Sequence, residues 1–132
     1  MNDRAKEHMK ETSQALYDKI KQHFSLPTFE DDIAEDELPA DFNYFLIVYG
    51  DMQRESESRR FFNQDVFVVY LSENNDQVNE DTLDIISIGE SIKTVTCQGT
   101  VKERIKKNDS DQHIDRVTIN FVRKIKYDSG QV

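Results

Sequence analysis

Apolar residues recur every three or four positions from about Arg4 to Phe24. Ala5, Met9, Leu16, Tyr17, Ile20 and Phe24 follow this spacing, while Lys10, Glu11, Asp18, Lys19 and Lys21 fall on other faces. The spacing predicts an amphipathic helix. Lys6–Lys10 and Glu7–Glu11 set like charges one turn apart, so docking of the apolar stripe must stabilise it. Pro27 marks a stop just beyond its end. The next apolar run, Phe42 to Gly50, reads as a strand with two apolar faces: Phe42, Tyr44, Leu46 and Val48 on one, Phe45, Ile47 and Tyr49 on the other. Such a strand is expected to be central or covered on both sides. A second strand, from Arg59 or Phe61 to Leu71, is rich in branched and aromatic residues and pairs with the first as an antiparallel hairpin. After the polar turn LSENND, residues from about Asn79 to Thr94 return to a three-to-four spacing and predict a second helix, weakened by its isoleucines and by Gly89.

Two strands follow, Thr100 to Lys107 and Arg116 to Tyr127, joined by a turn at Asn108-Asp109-Ser110-Asp111. In the last strand Val117, Ile119, Phe121, Ile125 and Tyr127 share one parity, and Thr118, Asn120, Lys124 and Lys126 take the other. This is a half-buried strand. The predicted order is α-β-β-α-β-β, an α+β fold with a mostly antiparallel four-stranded sheet and two helices packed on it. Residues 1–132 form a single domain, 25–41 a long acidic loop and 128–132 a flexible C-terminus.

Composition narrows the possible functions. The 132 residues are 36% hydrophobic and 33% charged, with a formal net charge of -9. A chain of this length supports one modest core, and its negative charge makes it a poor general ligand for phosphate backbones. The single cysteine, Cys97, excludes a disulfide within the chain and fits a reducing compartment. The start of the sequence has no apolar segment of a secretion signal, and Phe42 to Tyr49 is too short to span a bilayer, so a soluble cytoplasmic protein without a membrane partner is expected. His8, His23 and His113 lack metal-ligand spacing and are expected at the surface; Cys97 sits in no nucleophile motif and is expected in or near the core. With 4 glycines, no phosphate-binding loop is present. The acidic run Glu30 to Glu37 lacks the alternating ligands and bend glycine of a calcium loop. These observations argue against catalysis and predict no cofactor and no metal.

Charge is segregated along the chain. Glu30, Asp31, Asp32, Glu35, Asp36, Glu37 and Asp41 follow one another with no base between them. The last hairpin collects Lys102, Arg104, Lys106, Lys107, Arg116, Arg123, Lys124 and Lys126. Interspersed Glu103, Asp109, Asp111 and Asp115 weigh against phosphate binding by that hairpin. Charge complementarity between subunits is the sharper reading. The expected interface residues are Glu30, Asp31, Asp32, Glu35, Asp36 and Glu37 on one side, and Arg59, Arg60, Lys106, Lys107, Arg123 and Lys124 on the other.

The segments LPADFNYFLIVYGD, FFNQDVFVVYLSENND, TLDIISIGESIK and IDRVTINFVRKIKYD, in this order, resemble the tail terminator family (also called tail completion or tail-to-head joining proteins) of long-tailed bacteriophages and prophages. The likeness runs from the first helix to Tyr127. It implies a structural virion protein at the tail-head junction, assembled in the host cytoplasm. Such a protein forms a ring, commonly hexameric, that caps the tail tube, stops its polymerisation and presents the head-docking surface. Its implied partners are copies of itself, the tail tube protein and head-tail connector proteins, with DNA passing through the ring without specific binding. The resemblance supplies no catalytic residues. The alternatives are another connector or head-completion protein, or a small cytoplasmic protein-binding domain.

Overall fold

A computed structural model describes residues 1–57, 59–106 and 111–128. Helix α1 (Asp3–Phe24) buries Thr12, Leu16 and Ile20. It stops at Ser25, whose φ of 54° is left-handed and whose N–H donates to the Lys21 carbonyl. The chain continues through β1 (Thr28–Glu30), a 3-10 turn (Glu35–Glu37), β2 (Tyr44–Arg54), β3 (Phe61–Glu73), α2 (Val78–Glu90), β4 (Val95–Lys106) and β5 (His113–Lys126).

The α+β class agrees with the sequence expectation, but the four-stranded antiparallel sheet needs correction. The sheet has five strands in the order β1-β2-β3-β5-β4, and β1 runs parallel to β2 with Thr28 opposite Phe45 and Glu30 opposite Ile47. Three residues are too few to show a period-two pattern, and they sit between Pro27 and the acidic run. The expected 25–41 loop therefore contains a strand and a 3-10 turn. Much of the expected turn at 108–111 and most of the 128–132 terminus lie outside the described residues.

Strand register fixes which side chains share a face. Phe45, Ile47, Val68, Ile119 and Phe121 point to the face that carries both helices and pack with Leu16, Ile20 and Ile85. The Phe45 and Tyr70 rings stack at 4.6 Å with an interplanar angle of 9°. Burial of each such side chain contributes about 1.5–3 kcal/mol. Tyr70 also fixes the first turn of α2. Its hydroxyl donates to Asp81 Oδ2 at 2.9 Å, and Asn75 Nδ2 donates to the same carboxylate oxygen at 2.9 Å. Burial and then the neighbouring carboxylate push the Tyr70 phenol up to about 12.

The opposite face is also apolar along β2 and β3, with Tyr44, Leu46, Val48, Phe67, Val69 and Leu71. Tyr44 and Val69 are buried, and the other four are half-buried. Among the described residues no helix packs on this face. The expectation of two apolar faces for β2 thus holds, with a helix layer on one of them only. On the same open face, at the sheet's far edge, Val101 and Ile105 of β4 are each 63% exposed.

Candidate functional site

The two edges of the sheet differ in charge. At the β1 edge, Asp31 ends the strand with φ at 60°, a conformation short polar side chains tolerate. Its N–H donates to the Ile47 carbonyl at 2.7 Å, and its Oδ1 accepts from the Tyr49 N–H at 3.2 Å. Glu30 Oε2 accepts the Tyr49 hydroxyl at 2.9 Å. Burial, reinforced by Glu30, pushes that phenol up to about 12. Asp32 Oδ1 accepts from the N–H of Ile33. The far end of the segment is tied by Asn43 Oδ1, which accepts from the Glu73 N–H at 3.1 Å. Between these anchors Glu35, Asp36 and Glu37 are exposed on their 3-10 turn, and the apolar Leu38 that follows is 54% exposed.

The other edge is β4, which pairs with β5 alone and is exposed from Gln98 to Lys106. Its bases are only partly available. Lys102 Nζ donates to Asn79 Oδ1 at 3.1 Å. Arg104 grips Asp115 with two bonds, Nε to Oδ1 at 2.7 Å and an Nη to Oδ2 at 3.0 Å. Lys106 is exposed, and Lys107 lies outside the described residues.

Asp115 is fully buried. The Arg104 hydrogen bond holds its carboxyl below the usual carboxylate range despite that burial. His113, expected at the surface, is 8% exposed instead. Its Nδ1 meets the Asp111 carbonyl at 3.2 Å, so Nδ1 carries the proton. Nε2 then lies 3.7 Å from Asp115 Oδ2 without a hydrogen-bond partner. Because the folded pKa of Asp115 is depressed, its contribution is complete above the unfolded value and is lost as pH falls through the folded one. The melting temperature should therefore fall as pH drops below about 4. Asp115→Asn should melt lower at pH 7 and lose part of that acid dependence. A variant with an unchanged pH profile would remove Asp115 from the explanation.

Arg123 is the clearest departure from the expected interface. It is 4% exposed. Its Nε donates to Gln64 Oε1 at 2.9 Å. One Nη donates to the Met9 carbonyl, Thr12 Oγ1 and Ser13 Oγ at 3.1, 3.1 and 2.8 Å. The guanidinium lies 4.9 Å from the Tyr49 ring centroid. Desolvation draws its pKa down, and Tyr49 partly opposes this. Arg123 thus pins α1 to the sheet and presents nothing to a partner, which corrects its expected placement at a subunit interface. Lys124 is half-buried, 3.2 Å from Glu55 Oε2 and 4.2 Å from the Phe61 ring centroid. Arg59 and Arg60 are exposed in the β2–β3 connection.

The fold therefore gathers the six acidic candidates beside β1 and leaves Lys106 at the opposite edge. Arg59, Arg60 and Lys124 belong instead to the end of the sheet where β3 begins and β5 finishes. At that end lie Arg4 and Lys93, which sequence reasoning missed. They are far apart in the chain, and no local pattern joins them.

Among the described residues no group of three or more His, Cys, Asp or Glu side chains could hold a metal ion. Cys97 is half-buried, and its Sγ lies 3.9 Å from the Gly99 carbonyl. Among the described residues no helix is long and apolar enough to cross a membrane. No protein-family model and no curated protein matches the chain.

Proposed function

We propose that this chain is a structural subunit that assembles with copies of itself into a closed ring, and that the ring is the tail terminator of a long-tailed phage or prophage. The observation that supports the ring is the unlikeness of the two sheet edges. One bears an anchored, exposed acidic segment; the other is an exposed strand with bases at 102, 104 and 106. Unlike surfaces that join head to tail give heterologous interfaces, which close into rings when the rotation permits. The half-exposed apolar face of β2 and β3 offers further area to a neighbour or to the tube. The terminator assignment itself rests on the resemblance in segment order. Its working partners are the tail tube protein and the head-tail connector, and its place is the tail-head junction of the virion.

Mass photometry and tube growth test this reading. Six copies of the 15.5 kDa chain would give about 93 kDa, formed alone or on contact with tube protein. Val101→Glu places a carboxylate on the exposed β4 strand, where stability should change by no more than about 0.5 kcal/mol. It should reduce assembly while leaving the monomer folded. Tubes that grow without limit in the presence of the wild-type protein would overturn the terminator reading.

A further inference from the structure

A groove of about 530 Å³ lies between the start of α1, the turn before β4 and the ends of β3 and β5. Four cations, Arg4, Lys93, Lys124 and Lys126, line it, and no carboxylate does. Arg4, Lys93 and Lys126 are exposed and make no ion pair among the described residues. Ala5 and Phe61 supply apolar lining, and the His8–Thr94 hydrogen bond of 3.1 Å fixes the helix against the turn. A neighbouring hollow shares Arg4, Ala5 and Lys126 with this groove and adds Asp3 and Asp128. In a chain of net charge -9, three bases without an ion pair beside Lys124 concentrate positive field in one groove, which favours an anionic occupant.

The same chain carries the complementary ligand. Glu35, Asp36 and Glu37 are exposed on one turn, and Leu38 follows them at 54% exposure. Carboxylates with an adjacent apolar side chain match a basic rim around an apolar floor. A chain's own turn does not reach its own groove. The segment is tied to Glu73 through Asn43, whereas the groove lies at Phe61, the other end of the 13-residue strand β3. That strand spans about 40 Å. The occupant therefore has to come from another molecule.

We propose that the groove receives the Glu35–Leu38 turn of a second copy and that this contact joins neighbouring subunits. The identity of the occupant rests on the ring reading above, and it makes this groove, rather than the β4 bases, the acceptor of the acidic turn, Lys102 and Arg104 being held by Asn79 and Asp115. The interaction is electrostatic at its rim, so it should weaken as salt shortens the screening length from about 10 Å at 0.1 M to about 3 Å at 1 M.

Two measurements test it. A fluorescent peptide of residues 29–43 is titrated with the full chain, and with Lys93→Glu/Lys126→Glu, both positions being exposed. The expected result is binding that falls about tenfold or more in the variant, a loss of about 1.4 kcal/mol, and falls again at high salt. Equal binding by the variant, no peptide binding, or binding of a single-stranded oligonucleotide in place of the peptide would each overturn the proposal.

The second measurement mixes two variants. Lys93→Glu/Lys126→Glu and Glu35→Lys/Glu37→Lys should each fail to assemble alone, with circular dichroism of the folded chain, and should assemble when combined. Wild-type assembly matched by each variant alone would overturn the groove contact and leave the ring reading standing. Dimers or open chains that are lost in either variant, with no closed ring even with tube protein, would overturn the ring reading and leave the contact standing.

Discussion

Arg123→Ala should lower the unfolding free energy by about 3–4 kcal/mol, read as a shift of the urea midpoint at pH 7. The substitution strips the hydrogen bonds from Gln64 Oε1, the Met9 carbonyl, Thr12 Oγ1 and Ser13 Oγ. Unpaired buried acceptors cost about 1–3 kcal/mol each where no water reaches them, and the hydroxyls can turn to other partners, which lowers the sum. The loss of packing against Tyr49 adds a cavity between α1 and the sheet. Arg123→Met should cost less, about 1–2 kcal/mol, because it keeps most of the volume and removes the desolvation cost of a buried charge. Amide exchange should accelerate first in α1, since Arg123 is the main polar tie between that helix and β5. A loss below about 1 kcal/mol for alanine would mean that Leu16 and Ile20 alone hold the helix.

Arg123 also shows where sequence reading stops. Along the last strand it has the same parity as Val117, Ile119 and Phe121, so periodicity places it on the buried face. Charge overrode that signal, because an arginine with no acid nearby in sequence reads as surface. Its acceptors come from α1 and β3, over a hundred and nearly sixty positions away, and nothing local announces them. Asp115 and His113 share that parity but lie before the predicted start of the strand at Arg116, so the alternation was not followed to them. The long periodic elements were legible. The first helix was placed within a residue at its start, and the cores of β2, β3 and β5 carry the predicted side chains. β1 was invisible because a parallel edge strand of three residues owes its existence to Phe45, Leu46 and Ile47 across from it. β4 begins five positions earlier than predicted, and the bulge between Cys97 and Gly99 breaks the alternation that would have extended it. The acidic half of the candidate interface was legible as a run. The basic groove was legible only in part: Lys124 and Lys126 belong to the basic hairpin, but Arg4 and Lys93 join them from distant segments.

Gly89→Ala should destabilise the fold by about 2–3 kcal/mol even though alanine is the better helix former by about 1 kcal/mol. Gly89 is buried in α2 at the point where the helix crosses β5. A Cβ placed there would lie under 3.0 Å from Phe121 Cε1, Cζ and Cδ1, closer than real Cβ atoms approach. Phe121 is fully buried and held in register between Val66 and Cys97, so its ring has no free volume to retreat into. Either the helix lifts from the sheet, losing contact at Ile85, or the ring leaves its preferred rotamer. The helical backbone at Gly89 is not strained, so the whole cost is assigned to contact with one ring. Phe121→Leu removes that ring and, alone, costs about 1–2 kcal/mol in lost packing. Combined with Gly89→Ala it should recover at least about 1 kcal/mol relative to the sum of the two single changes. Strict additivity in the denaturation midpoints would mean that the methyl group is accommodated without Phe121, and that the close approach of α2 to the sheet is set by Ile85 and Ile92 instead.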